Sequence, residues 1–227
     1  MTQIHTIEDP RPEVSTDAFS AMDRMYRFQR YFYDLTRKYY LLGRDRLIDD
    51  MDIEAGDNVL EIGCGTGRNL ILLGRKRPQA HLFGLDASSE MLVTAEKKIS
   101  ASGQSIVLRT ALADDFAASS TFDLDKLFDV IFFSYSISMI PTWRESIDNA
   151  LANLKPGGSL YFVDFYDQKS LPRWFQKLLQ GWLRKFHVKF WPELIPHLKS
   201  LETDGLGQFM LTPLYRRYSF IGALKKS

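Results

Sequence analysis

The chain has 227 residues, enough for one well-buried core and somewhat short for two. Its formal net charge of +1 gives no whole-molecule attraction to nucleic acid, so any electrostatic role must come from local patches. The single cysteine, Cys64, excludes an internal disulfide and fits a reducing compartment, and no apolar run reaches the roughly 18 residues of a membrane span.

In chain order, residues 1 to about 20 carry Glu8, Asp9, Glu13 and Asp17 and lack the apolar centre of a signal peptide, so they read as a loosely ordered arm. The segment Tyr26 to Ile48 is rich in Tyr, Phe and Arg and reads as a helical lid, about 21–50, placed before the first strand. Most of it is expected to pack on the sheet; Tyr33, Arg37, Tyr40 and Arg44 are weighed equally as site and scaffold. Val59-Leu60-Glu61-Ile62 then enters a turn with glycine at 63, 65 and 67, and a helix-forming run follows from Asn69. Such glycines permit positive φ and let a ligand lie on the backbone. A dinucleotide fingerprint would space them Gly-x-Gly-x-x-Gly. Here the third glycine comes one residue early, and Arg68 stands in the dinucleotide position. Glu61 would repel a diphosphate but suits a ligand carrying positive charge. Cys64 reads as a small packing residue of the loop.

His81-Leu82-Phe83-Gly84-Leu85-Asp86 is a second strand that ends in an acid about twenty residues past the glycines, where nucleotide-binding α/β folds meet a ribose diol. Ala87 follows it, Ser88 or Ser89 can cap the next helix, and Met91 is placed to lie against an adenine. After a third strand, Ile106 to Thr110, Ala113 and Asp114 fall at the strand end, and Asp114 is preferred to Asp115 as acceptor for an adenine amine. A fourth strand, Phe128 to Phe133, ends at Ser134-Tyr135-Ser136. A helix from Trp143 to Leu154 stops at Lys155-Pro156-Gly157-Gly158, and Leu160 to Phe165 is the fifth strand. Gln208 to Leu211 and Tyr218 to Leu224 read as an antiparallel pair. The alternation predicts one α/β domain over 21–227: a Rossmann-like, seven-stranded, mostly parallel sheet with a C-terminal antiparallel strand and an N-terminal helical lid. Glu61, Gly63, Asp86, Asp114 and Ser134 all fall at carboxyl ends of strands, where such sheets bind ligands.

The run Glu61-x-Gly63-x-Gly65-x-Gly67 after a strand resembles the signature of class I S-adenosylmethionine (SAM) methyltransferases. The resemblance implies SAM as cofactor, S-adenosylhomocysteine as product, and a binding set of Tyr33, Arg37, Arg44, Glu61, Gly63, Cys64, Gly65, Asp86, Ala87, Met91, Ala113, Asp114 and Ser134. Several acceptor classes are weakened by what is missing. Ser134-Tyr135-Ser136-Ile137 stands where base-flipping enzymes carry Asn/Asp-Pro-Pro-Tyr/Phe. The four histidines are widely spaced, so no metal is expected, and no RNA-binding module or other nucleic-acid partner is read. A small-molecule or lipid acceptor is left.

Leu171, Trp174, Phe175, Leu178, Leu179, Trp182, Leu183 and Phe186 recur at three- and four-residue steps, the stripe of one helix face. Arg173, Lys177, Arg184 and Lys185 lie mostly off it, and residues 168–192 contain no acid. A sheet-covering helix shows the same stripe, which suits the leucines; tryptophans with a basic flank suit an interfacial helix.

Residues 33–48, Tyr-Asp-Leu-Thr-Arg-Lys-Tyr-Tyr-Leu-Leu-Gly-Arg-Asp-Arg-Leu-Ile, together with 133–141, 171–175 and 186–188, resemble the bacterial betaine-lipid N-methyltransferases, and the likeness runs from about Met22 onward. It implies three successive methylations of diacylglyceryl-homoserine, a cytoplasmic protein peripherally bound to the inner face of the membrane, and a companion aminocarboxypropyl transferase. In that reading Tyr33, Tyr40 and Tyr135 form the catalytic set, their aromatic faces stabilising the accumulating ammonium. Arg37, Arg173 or Arg184 would hold the homoserine carboxylate, and His187 is a pocket or structural residue. The alternatives are another amphiphile, such as phosphatidylethanolamine or a quinone precursor, and a SAM-binding protein without turnover.

Overall fold

Strands that are apolar at every position need cover on both faces, and this requirement organises the molecule. The computed structural model describes residues 41–184 and 190–227. Within them one sheet contains β1 (Asn58–Ile62), β2 (His81–Asp86), β3 (Ile106–Thr110), β4 (Phe128–Ser134), β5 (Leu154–Phe165), β6 (Gly207–Leu214) and β7 (Ser219–Lys226). The helices among the described residues are α1 (Arg44–Asp50), α2 (Arg68–Lys76), α3 (Ser89–Ser102), α4 (Ala118–Phe122), α5 (Trp143–Ala152), α6 (Arg173–Arg184) and α7 (Leu194–Thr203). Along β4, Phe128, Ile131 and Phe133 enter one core layer while Val130 and Phe132 enter the other. Phe122 of α4, Ile147 of α5 and Leu198 of α7 close the first layer; Ile48 of α1, Leu70 of α2 and Leu179 of α6 close the second.

The strand order is β3-β2-β1-β4-β5-β7-β6, with β1 to β5 parallel and β7 antiparallel to both of its neighbours. The chain runs outward from β1 to β3 and then returns to β4 on the other side of β1. The helices that follow β1 and β4 therefore cover opposite faces, and a crevice opens at the carboxyl ends of those two strands.

Three local departures from the sequence reading have physical causes. β5 begins at Leu154, not Leu160, because Lys155-Pro156-Gly157-Gly158 is absorbed as an irregularity: Phe128 pairs with Leu154, but Val130 already pairs with Ser159. Lys155 is held there by an ion pair with Asp129. Secondly, α4 and α7 occupy stretches where periodicity gives no element. Thirdly, the stripe of α6 divides. Leu179 and Leu183 are buried and Leu171, Phe175 and Trp182 lean on the core, whereas Trp174 and Leu178 are 69% and 65% exposed.

Of the lid, the described part starts at Leu41. Gly43, at φ +95°, precedes α1, and a Cβ there would come within 2.7 Å of the Leu214 side chain. Tyr33, Arg37, Tyr40 and the N-terminal arm lie outside the described residues, as do Lys185, His187, Lys189 and the side chain of Arg184. Among the described residues no helix is long and apolar enough to cross a membrane.

Candidate active site

The glycine turn between β1 and α2 takes its shape from three left-handed residues, with φ of 74° at Gly63, 54° at Gly65 and 75° at Gly67. An L side chain is strained in that region. At Gly63 space is also lacking, since a Cβ would sit 2.4 Å from the Cβ of Ser136. The turn is tied to the end of β2: Gly63 and Cys64 donate to the Leu85 carbonyl at 2.7 and 3.0 Å, and Gly65 donates to Asp86 Oδ2 at 2.7 Å. The other Asp86 oxygen accepts from Ser88 N–H at 2.9 Å. Ser88, whose hydroxyl accepts from Met91 N–H, is the cap of α3, as the sequence suggests. Two backbone donors thus fix the orientation of the Asp86 carboxylate.

A cleft of about 380 Å³ lies beside this turn, and Leu41, Arg44, Glu61, Gly63, Cys64 and Ser134 are among its lining residues. Glu61 is buried, and its Oε1 accepts from Asn69 Nδ2 at 2.7 Å. Arg44 is also buried, and its Nε donates to the Leu41 carbonyl at 3.2 Å. Ser134 closes β4, and its hydroxyl has no hydrogen-bond partner among the described residues. Burial pushes the Cys64 thiol well up, helped by the negative charges of Asp86 and Glu61, so it stays a neutral packing group. Of the remaining expected cofactor residues, Ala87 and Met91 follow Asp86, with Met91 buried. Ala113 is buried and Asp114 half-buried beyond β3, where Ala111 N–H bonds to the Asp86 carbonyl. Asp115, the rejected alternative, is exposed.

One expected role does not survive the geometry. Tyr135 does not offer its ring face to a ligand: the ring packs against Phe165 at 4.8 Å, and neither cavity described in this section is lined by it. Its hydroxyl donates to the Leu42 carbonyl at 2.6 Å, and burial pushes that phenol well above its ordinary range. Tyr135 is a strap that holds the segment before α1 on the sheet. Arg173 lies on the exposed side of α6 and lines neither cavity.

A second and larger cavity, about 850 Å³, sits over the end of β5 between α6 and α7. Asp164, Gln168 and Ser138 bring polar groups to it, and Phe165, Tyr166 and Trp191 bring aromatic walls. The sequence reading assigns the three polar residues no role. The signal was nevertheless there, because Asp164 is an acid closing an apolar strand, the pattern that singles out Asp86. The short 3₁₀ turn Ile137–Met139 links the two hollows. Ser136, just before it, donates to the Ile62 carbonyl at 2.7 Å beside the glycine turn, and Ser138 N–H donates to Asp164 Oδ2 at 3.0 Å.

Comparison with known proteins agrees with this geometry. Residues 28–195 match a family described as a methyltransferase domain. The chain is 27% identical over 140 residues to a demethylmenaquinone methyltransferase of Listeria monocytogenes, covering 61% of this chain and 57% of that protein. It is 33% identical over 107 residues to a ubiquinone biosynthesis O-methyltransferase of Actinobacillus pleuropneumoniae, covering 47% and 45%. The chain therefore spans only about half the length of the curated relatives it matches. The plantazolicin methyltransferase BpumL, solved with S-adenosylhomocysteine, superposes with a TM-score of 0.64 at 14% identity, over 93% of this chain and 98% of that one. The site fits SAM: buried carboxylates at Glu61 and Asp86 suit a sulfonium and a ribose diol, and the turn carries no Cβ at 63, 65 or 67. With the family match covering well over half of its length, the chain belongs to the methyltransferase-domain family.

Proposed function

We propose that the chain methylates the amine of diacylglyceryl-homoserine three times, giving diacylglyceryl-N,N,N-trimethylhomoserine. The observation that carries this reading is α6. It covers the sheet with Leu179 and Leu183 and keeps Trp174 and Leu178 in solvent beside the exposed Arg173 and Lys177, while its Gln180 and Leu183 line the larger cavity. An exposed tryptophan ridge with cations suits a bilayer surface, and a cavity under the same helix suits a headgroup lifted from that surface. Acyl chains need not leave the bilayer, which would cost about 0.8 kcal/mol per methylene. The resemblance of 33–48 and 133–141 to betaine-lipid N-methyltransferases supports the same acceptor.

SAM supplies an electrophilic methyl group on a sulfonium. The residues present have simple tasks around it. Asp86 accepts hydrogen bonds from the ribose diol, Glu61 brings negative charge near the sulfonium end, and the buried Arg44 is the cation for the methionine carboxylate. Holding the acceptor amine in line at near-attack distance is the main contribution the protein makes to rate. Peripheral attachment at the inner face of the membrane and a companion aminocarboxypropyl transferase belong to this reading.

A second reading, a quinone precursor as acceptor, is favoured by the names of the relatives. The two separate in one experiment: the protein is incubated with SAM and diacylglyceryl-homoserine, phosphatidylethanolamine or a demethylated quinone, and products are read by mass. Additions of one, two and three methyl groups on the homoserine lipid are expected. Methylation of the quinone alone would overturn the proposal, and no methyl transfer to any of the three lipids would remove the lipid-acceptor readings.

A further inference from the structure

The larger cavity holds a carboxylate that cofactor binding does not use. Asp164 is 1% exposed. Its Oδ1 accepts from Phe165 N–H at 2.7 Å and its Oδ2 from Ser138 N–H at 3.0 Å. It has no ion-pair partner among the described residues. Among the described residues, Lys169 at the cavity approaches Asp167 at 3.8 Å, and Arg217 grips the same carboxylate with two nitrogens. The Arg217 guanidinium holds Asp167 below the usual carboxylate range, so that acid is ionised but neutralised. A second observation points the same way. Gln168 is buried and lines the cavity, and its Oε1 has no hydrogen-bond partner among the described residues. Gln168 is also held at φ 57°, with its N–H on the Arg217 carbonyl. One uncompensated carboxylate, one unsatisfied carbonyl oxygen and aromatic walls complement an organic ammonium and would repel a free anion.

We propose that this cavity receives the acceptor's ammonium group, with Asp164 as its counter-ion and as the base that takes its proton before each transfer. The inference rests on the amine reading above and deepens it. In each round a proton moves from the ammonium nitrogen to an Asp164 oxygen. The freed lone pair then forms the nitrogen–carbon bond as the methyl–sulfur bond breaks with its electrons left on sulfur. The methylated nitrogen again carries positive charge, and Asp164 returns its proton to solvent before the next round. After the third transfer the nitrogen has no proton to give, and only its charge still attracts Asp164. Burial lifts the Asp164 carboxyl from its ordinary value near 3.8 to about 6, which leaves it ionised at neutral pH and basic enough to accept a proton.

The test uses the full chain and two probes of equal shape: choline, and its uncharged isostere 3,3-dimethylbutan-1-ol. Calorimetry should show the parent preferring choline by at least about tenfold, the range of a charge-assisted contact. Asp164→Asn should erase that preference and slow methyl transfer to diacylglyceryl-homoserine, with SAM affinity unchanged. Gln168→Leu, which keeps the carboxylate, should weaken choline binding by a smaller factor and serves if Asp164→Asn does not fold. No preference in the parent, or one that survives both variants, would overturn the site. Equal lipid methylation by parent and Asp164→Asn would overturn the site while leaving the lipid reading standing. A choline preference that depends on Asp164, in a protein that leaves the homoserine lipid unmethylated, would support the cation site and overturn the lipid reading.

Discussion

The glycine-turn cleft and the cavity over β5 are built in opposite ways. The cleft is made mainly from backbone: three left-handed glycines and two N–H groups aimed at one acid, all within residues 61–88. The cavity is made from side chains of distant segments, with Asp167 and Arg217 bonded across fifty positions of sequence. One of its lining residues, Gln168, is a non-glycine residue at positive φ, a conformation that costs about 1–2 kcal/mol. The contrast teaches that the donor site is specified by main-chain geometry and tolerates little change. The cavity over β5 is specified by replaceable side chains.

The sharpest way to break this contrast is Gly63→Ala. A Cβ 2.4 Å from Ser136 on a φ of +74° leaves no room, and SAM affinity should fall at least about a hundredfold, near 3 kcal/mol. Gly56→Ala is the control, because it has equally positive φ with nothing within 4 Å. It should cost only the strain, about 1–2 kcal/mol on melting, and leave SAM titrations unchanged. Similar SAM affinity in the two variants would mean that the turn is not built by close approach. Asp86→Ala comes next. It removes the acceptor of the Gly65 and Ser88 N–H groups and, in the proposed reading, of the ribose, and hydrogen bonds to a charged group contribute about 1.5–3 kcal/mol each. A calorimetric loss of SAM affinity of tenfold or more is expected.

The third prediction concerns stability against pH. Folding raises the Asp164 carboxyl from near 3.8 to about 6. The folded state therefore keeps that proton while the unfolded chain has lost it. The associated stability is full below about pH 4, declines as pH rises, and is gone above about pH 6. Relative to the parent, Asp164→Asn should gain up to roughly 3 kcal/mol between pH 4 and pH 7, read by denaturant unfolding at each pH. A difference that stays flat with pH would show that burial of this acid carries no cost. The smallest effect is expected outside both hollows. Arg173→Gln and Lys177→Gln should each weaken binding to anionic vesicles by about 1 kcal/mol without changing SAM affinity. Raised salt should mimic them, because exposed charges are screened beyond about 8–10 Å. Cosedimentation that ignores both changes would leave α6 as sheet cover alone.

Legibility in the sequence followed the same division. The cleft was readable because its determinants are local: glycine spacing, an acid two residues upstream, and an acid closing the next strand. The strand pattern was readable because both faces are covered and apolar runs are unbroken. Tyr135 was misread, because a tyrosine after β4 looks the same whether its ring faces a ligand or Phe165; only the long-range bond to Leu42 decides. Gln168 gave no signal at all, since nothing local marks a buried amide whose backbone N–H is held by the distant Arg217 carbonyl.

Parallel strands stand about 4.8 Å apart, and Gly63, Ser134 and Asp164 sit at the ends of the adjacent strands β1, β4 and β5. The sheet therefore works as a ruler. The glycine turn and Asp164 stand two strand widths apart, roughly 10 Å, across hydrogen-bonded backbone. Changing which molecule enters is then a matter of reshaping walls at 165–169, Gln180, Leu183 and 190–196, whereas the spacing of the strand ends is set by the pairing of β1, β4 and β5.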